Sequence, residues 1–77
     1  MITFEEIKRL IQARIPGAEA RVFDMTDTGD HFEIEVTSKE FAGKTLLEQH
    51  RMVYAALEAE MDKRIHAVKL RTLTPKN

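Results

Sequence analysis

The side chains in this chain that can do chemistry are three histidines, His31, His50 and His66, and three aspartates close together at Asp24, Asp27 and Asp30. Imidazole is a common neutral metal ligand and titrates near physiological pH, so exposed histidines can bind iron, zinc or a cluster. His66 stands in Ile65-His66-Ala67, at the mouth of a run that reads as a strand. A histidine placed there is either a core-edge residue or a metal ligand. His31 opens another such run, far away in sequence. A metal site takes three or four ligands, so two histidines imply an incomplete site that a partner finishes. The chain has no cysteine, which excludes a disulfide framework, a thiolate metal site and a cysteine nucleophile within it.

The other polar residues have plainer readings. His50 falls on the apolar face of a helical run, where a histidine is more often packed and hydrogen-bonded than functional. Tyr54, one turn on, can bury its ring and keep its hydroxyl at the rim. Asp24, Asp27 and Asp30 lack the alternate-residue spacing and terminal glutamate of a calcium loop, so TDTGD at 26–30 reads as a turn between strands. Glu33 and Glu35 form a solvated strand face. No Ser/His/Asp triad, phosphate-binding glycine loop or pair of catalytic carboxylates can be picked out, and a protein that is not an enzyme is expected. Lys63, Arg64, Lys69, Arg71 and Lys76 follow Asp62 with no acid among them. Such a patch can hold nucleic-acid phosphates. No aromatic residue accompanies it to stack on bases, and a basic strand face also serves as solvated surface or protein-docking surface.

These residues need elements to hold them. Thr3 and Glu6 have capping-box spacing, and Phe4, Ile7, Leu10, Ile11 and Ile15 recur at helical intervals, which predicts a helix over 4–14. Pro16 disfavours helical geometry at Ile15, and Gly17 supplies the turn. A strand over 18–25 places Ala20 and Val22 on one side, Arg21 and Phe23 on the other. After the 26–30 turn, HFEIEV sets Phe32, Ile34 and Val36 against His31, Glu33 and Glu35. The two strands make an antiparallel hairpin with one wet face. A second helix is expected over 44–61, with Leu46, Leu47, His50, Val53, Tyr54, Leu57 and Met61 on one face. A third strand over 65–72 carries His66, Val68 and Leu70 together, and the residues after Thr74-Pro75 should fray.

The α-β-β-α-β order implies an α+β fold: a mixed three-stranded sheet, strands two and three parallel through a crossover, with both helices on its apolar face. Residues 1–77 then form one domain. Parallel pairing puts His31 and His66 at the same edge of the sheet. Strand parity argues against their meeting, since His66 shares a face with Val68 whereas His31 opposes Phe32, unless the loop frees the direction of His31. A chain of 77 residues buries about 60% of its unfolded surface, enough for one small core and no deep cleft. Twelve basic and thirteen acidic residues give a net charge of −1, so the whole molecule lacks the field that draws proteins to nucleic acid or anionic lipid. The start MITFEEIKRL carries acids where a signal peptide has a basic segment, and no apolar stretch approaches about 18 residues. A soluble, cytoplasmic protein is expected.

The run FAGKTLLEQHRMVYAALEAEM (41–61) followed by RIHAVKLRTLTP (64–75) resembles the BolA family, whose members share an F-x-G-K start, a helix with an H-R-x-V-like segment and a closing I-H-A strand ending in T-P. The preceding helix and hairpin also fit, so the resemblance covers essentially the whole chain. It implies a fold similar to type II KH domains. It also implies a partner, a monothiol glutaredoxin of the CGFS type, and a shared 2Fe-2S cluster bridged between the two proteins. A glutaredoxin cysteine and a glutathione thiolate hold one side of that cluster. On this chain's side the histidine of I-H-A, matched by His66, is one ligand, and the loop between strands one and two supplies the other. In the cysteine-bearing branch that second ligand falls around Thr28, where threonine cannot replace a thiolate. His31, directly before Phe32, resembles the histidine of other branches, so the expected metal residues are His66 and His31. The implied function is a non-enzymatic adaptor in iron-sulfur cluster trafficking or iron sensing, with no small-molecule substrate and no membrane. A reported role of the family in transcription makes a KH-like nucleic-acid-binding regulator the alternative, although this sequence has no GxxG loop. A zinc or haem handler using the same histidines also stays open.

Overall fold

The computed structural model describes residues 1–76; Asn77, within the tail expected to fray, lies outside them. The first helix, α1 (Phe4–Arg14), starts where its cap dictates. The Thr3 hydroxyl accepts from the Glu6 amide while the Glu6 carboxylate accepts from the Thr3 amide, which satisfies two of the free N–H groups at a helix start. It stops before Pro16, and Ile7 and Ile11 form its buried stripe.

Strands β1 (Glu19–Asp24), β2 (His31–Thr37) and β3 (Ala67–Leu73) form one sheet in that order, β1–β2 antiparallel and β2–β3 parallel. A second helix, α2 (Leu46–Leu57), lies between β2 and β3 in sequence and makes their crossover possible. The fold class and pairing are those expected. Alternation in β2 decides which face is covered: Phe32, Ile34 and Val36 are fully buried, and with Ile7, Ile11, Phe41, Val53, Leu57 and Ile65 they form the core. Helices α1 and α2 pack on each other, α1 beside β1 and α2 beside β3.

Strand β1 is one residue shorter at each end than the expected 18–25 and β3 ends one residue beyond 72; three further boundaries differ, each for a local reason. Helix α2 begins at Leu46 rather than 44 because Thr45 caps it in a second capping box with Glu48. It gives way at Glu58–Glu60 to a 3-10 turn, so Met61 lies beyond it. Leu46, Leu47 and Tyr54, expected on the buried face, are exposed; the buried positions of α2, Val53, Ala56 and Leu57, all sit in its C-terminal half.

The third difference positions His66. Strand β3 begins at Ala67, not at 65. Just before it, Asp62 adopts a left-handed backbone (φ 64°), its amide donates to the Ile65 carbonyl (2.8 Å), and the Ile65 amide donates to the Glu60 carbonyl (3.0 Å). Ile65 is thereby driven into the core. Two residues, His66 and Ala67, then intervene before Val68 packs against the core again, so alternation slips by one and His66 escapes the inward position that strict period-two order would give it.

Candidate metal site at the mouth of β2 and β3

The loop from Met25 to Asp30 is shaped by one carboxylate and one glycine. Asp24 accepts from the amides of Thr26 (3.2 Å) and Gly29 (3.0 Å). Gly29 sits at φ 77°, a region glycine enters without steric cost, and a side chain there would meet the Met1 thioether. The loop delivers Asp30 and His31 to the start of β2, where His31 pairs with Ala67. The Asp30 carbonyl accepts from the amides of both His66 (2.8 Å) and Ala67 (3.3 Å). Backbone bonding therefore holds the two histidine-bearing segments side by side.

Side-chain geometry follows from that register. Asp30 Oδ2 lies 2.7 Å from His66 Nδ1, and Asp30 Oδ1 lies 3.8 Å from His31 Nε2. The two imidazole rings stand edge to face with centroids 6.2 Å apart. One ligand atom from each of Asp30, His31 and His66 can be chosen so that all lie within 4.8 Å of one another. His31 and His66, the expected metal residues, are thus brought together, and the parity objection is removed by the slip at 66–67. Both remain open to solvent, with side-chain exposures of 40% and 54%.

Electrostatics fixes the state of the site. Hydrogen bonds from the Thr28 hydroxyl, first, and from His66 hold the Asp30 carboxyl below its ordinary range. An ionised carboxylate only accepts, so the shared hydrogen sits on His66 Nδ1, and a neutral His66 keeps the lone pair of Nε2 free for a ligand. Histidine ligands commonly have such a carboxylate behind them, which fixes the tautomer and raises basicity. Asp30 read from the sequence only as a turn residue; the signal available was its place directly before His31. The Thr28 hydroxyl bonds to the Asp30 carboxylate.

The turn before His66 is anchored as well. Arg64 donates from Nε (2.9 Å) and Nη2 (2.8 Å) to the Glu60 carboxylate, and its Nη1 lies 3.0 Å from Glu6. Glu6 is the residue that closes the α1 cap, so one guanidinium joins the turn, the helix start and the path to His66. Thr3 and then Arg64 hold the Glu6 carboxyl below its ordinary range, Arg64 does the same at Glu60, and the two acids push Arg64 upward.

The remaining candidates do not join this site. His50 is half-buried on α2, with Nε2 shielded and without a hydrogen-bond partner among the described residues. Tyr54 reaches the Val68 carbonyl (3.4 Å) with its hydroxyl. On the open sheet face Lys69 faces Glu33 (3.9 Å), and Glu35 lies 3.6 Å from both Arg71 and Arg21. The basic C-terminal segment is therefore interleaved with acids from β2.

Comparison with known proteins gives the family and the fold. A family model described as BolA-like protein matches residues 6–77. The chain belongs to the BolA family. It is 43% identical over 72 residues to Protein BOLA2 of Arabidopsis thaliana, covering 92% of this chain and 76% of that protein. It is 39% identical over 46 residues to the DNA-binding transcriptional regulator BolA of Escherichia coli, covering 60% of this chain and 44% of that one. Among solved structures, a BolA protein homologue from Coxiella burnetii superposes with a TM-score of 0.75 at 41% identity, covering 97% of this chain and 94% of the homologue. The arrangement of two helices and a mixed three-stranded sheet is thus a BolA fold. Among the described residues no helix is long and apolar enough to cross a membrane.

Proposed function

We propose that this BolA protein is a non-enzymatic adaptor of the cytoplasm that completes a 2Fe-2S cluster site on a monothiol CGFS glutaredoxin, serving cluster trafficking or iron sensing. The observation that carries this is the convergence of His66 and His31 at one exposed rim, with Asp30 behind His66. The donor set fits one half of a bridged cluster: a chain without cysteine offers two imidazoles, and the partner with glutathione supplies the thiolates. His66 would ligate through Nε2, the nitrogen its bond to Asp30 leaves free, and His31 would be the second ligand. Replacing two thiolates by imidazoles raises a cluster's reduction potential and makes ligation sensitive to protonation. The chain's own contribution is to hold these two rings in register and leave them accessible.

The test is anaerobic reconstitution with a CGFS glutaredoxin, glutathione, iron and sulfide, read by visible circular dichroism. His66→Ala should abolish the spectrum of the mixed complex, and His31→Ala should alter it. An unchanged spectrum and unchanged cluster retention in His66→Ala would sink the proposal. Thr28→Ala is no silent control, since the Thr28 hydroxyl bonds to Asp30. DNA binding has in its favour the name of the E. coli relative. It requires affinity that falls steeply with salt and with neutralisation of Lys69 and Arg71 and is indifferent to His66, and the pairing of those cations with Glu33 and Glu35 weakens the field it needs.

A further inference from the structure

We propose that the chain alone, without any partner or cluster, binds one divalent transition-metal ion with Asp30 as a direct ligand beside His31 and His66. Two cis ligands about 2.0–2.2 Å from a metal stand roughly 3 to 3.5 Å apart. Asp30 Oδ2 lies 2.7 Å from His66 Nδ1 and Asp30 Oδ1 lies 3.8 Å from His31 Nε2, and one donor atom from each of the three residues lies within 4.8 Å of the others. Rotation of side chains that stand at a solvent-open rim closes these separations to one coordination sphere.

Binding replaces the hydrogen between Asp30 and His66. The neutral imidazole moves its proton from Nδ1 to Nε2 and offers Nδ1 to the metal, so no proton need be lost overall. Thr28 stays bonded to the carboxylate and orients it, as outer-shell partners of metal ligands do. Two imidazoles and one carboxylate select zinc, nickel, cobalt or ferrous ions over magnesium and calcium, which prefer all-oxygen sets. Three protein ligands leave at least one coordination position for water or an incoming donor. Because this mode uses Nδ1 of His66 and makes Asp30 a ligand, it differs from cluster ligation through Nε2, in which Asp30 only holds the ring.

Asp30→Asn separates the two modes. Asparagine can still accept from His66 Nδ1–H through its carbonyl oxygen but removes the anionic ligand. The probes are Zn2+ titrated into untagged protein by isothermal calorimetry and followed by 1H–15N correlation spectra, and Co2+ read by its visible absorption, all without glutaredoxin or sulfide. One equivalent of Zn2+ should bind, with shifts centred on residues 28–32 and 65–67. Asp30→Asn, His31→Ala and His66→Ala should each weaken binding by about tenfold or more, while their spectra without metal show the fold retained. Failure of the wild-type chain to bind Zn2+ or Co2+ overturns the proposal, as does Asp30→Asn binding as tightly as wild type. Neither result bears on the cluster reading, which is tested with the partner present.

Discussion

Gly29→Ala should destabilise the protein through its backbone and loosen the site at the same time. At φ 77° an L-residue with a Cβ costs about 1–2 kcal/mol. The added methyl group would also meet the Met1 thioether at 2.7 Å, but Met1 is 90% exposed, and the free end of such a side chain moves aside cheaply. The backbone contribution therefore dominates. For a domain of this size each kcal/mol lowers the melting temperature by roughly 4–8 °C, which gives a loss of about 4–16 °C by thermal denaturation. Hydrogen exchange should quicken most at the amides of His66 and Ala67, which donate to the carbonyl of the residue next to Gly29. Gly29→Asn should recover much of the loss, since asparagine tolerates the left-handed region better than alanine. A Gly29→Ala protein that melts with the wild type, or an asparagine variant no better than alanine, would refute the reasoning.

Phe41→Ala removes a fully buried ring and should cost about 3–5 kcal/mol in urea denaturation, a large part of a total of roughly 5–15 kcal/mol; Leu46→Ala, at an exposed position, should stay within about 0.5 kcal/mol. Equal losses would contradict the placement of Phe41 in the core and of Leu46 outside it. The carboxyls of Glu6, Glu48 and Glu60 all lie below their ordinary range in the folded chain. The unfolded chain therefore binds more protons in that window, so their stabilisation is present above the ordinary glutamate pKa of about 4.3 and is lost as pH falls through the lower folded values. Glu48→Gln keeps a capping acceptor without the titration, and stability measured against pH should fall less steeply in this variant.

Much of the fold was legible because its determinants are local. Thr3 and Glu6 mark the start of α1 and Pro16 its end, and the alternation from His31 to Val36 by itself names the buried face of β2. The T-x-x-E spacing at Thr45 and Glu48 was an equally local signal for the start of α2, and it puts that start at Leu46 rather than 44. What period alone could not convey is how far a helix overlies its sheet, which is why Leu46 and Leu47 fit the stripe and yet face solvent. The site was half legible. His66 and His31 stood out by type and by their places at strand mouths, whereas Asp30 depends on the register between β2 and the residues leading into β3. That register is set by the left-handed turn at Asp62 and the burial of Ile65, a break in alternation that strand periodicity does not encode.

The proposed ligation of the shared cluster by imidazole from this chain predicts nitrogen hyperfine coupling between that imidazole and the reduced cluster. The chain is prepared with 15N-labelled histidine, assembled with an unlabelled CGFS glutaredoxin, glutathione, iron and sulfide, reduced, and examined by pulsed EPR. A 15N coupling on the reduced cluster is expected, lost in His66→Ala and retained in a His50 variant that still folds. A cluster formed in the mixed complex with no 15N coupling to this chain would contradict the claim outright.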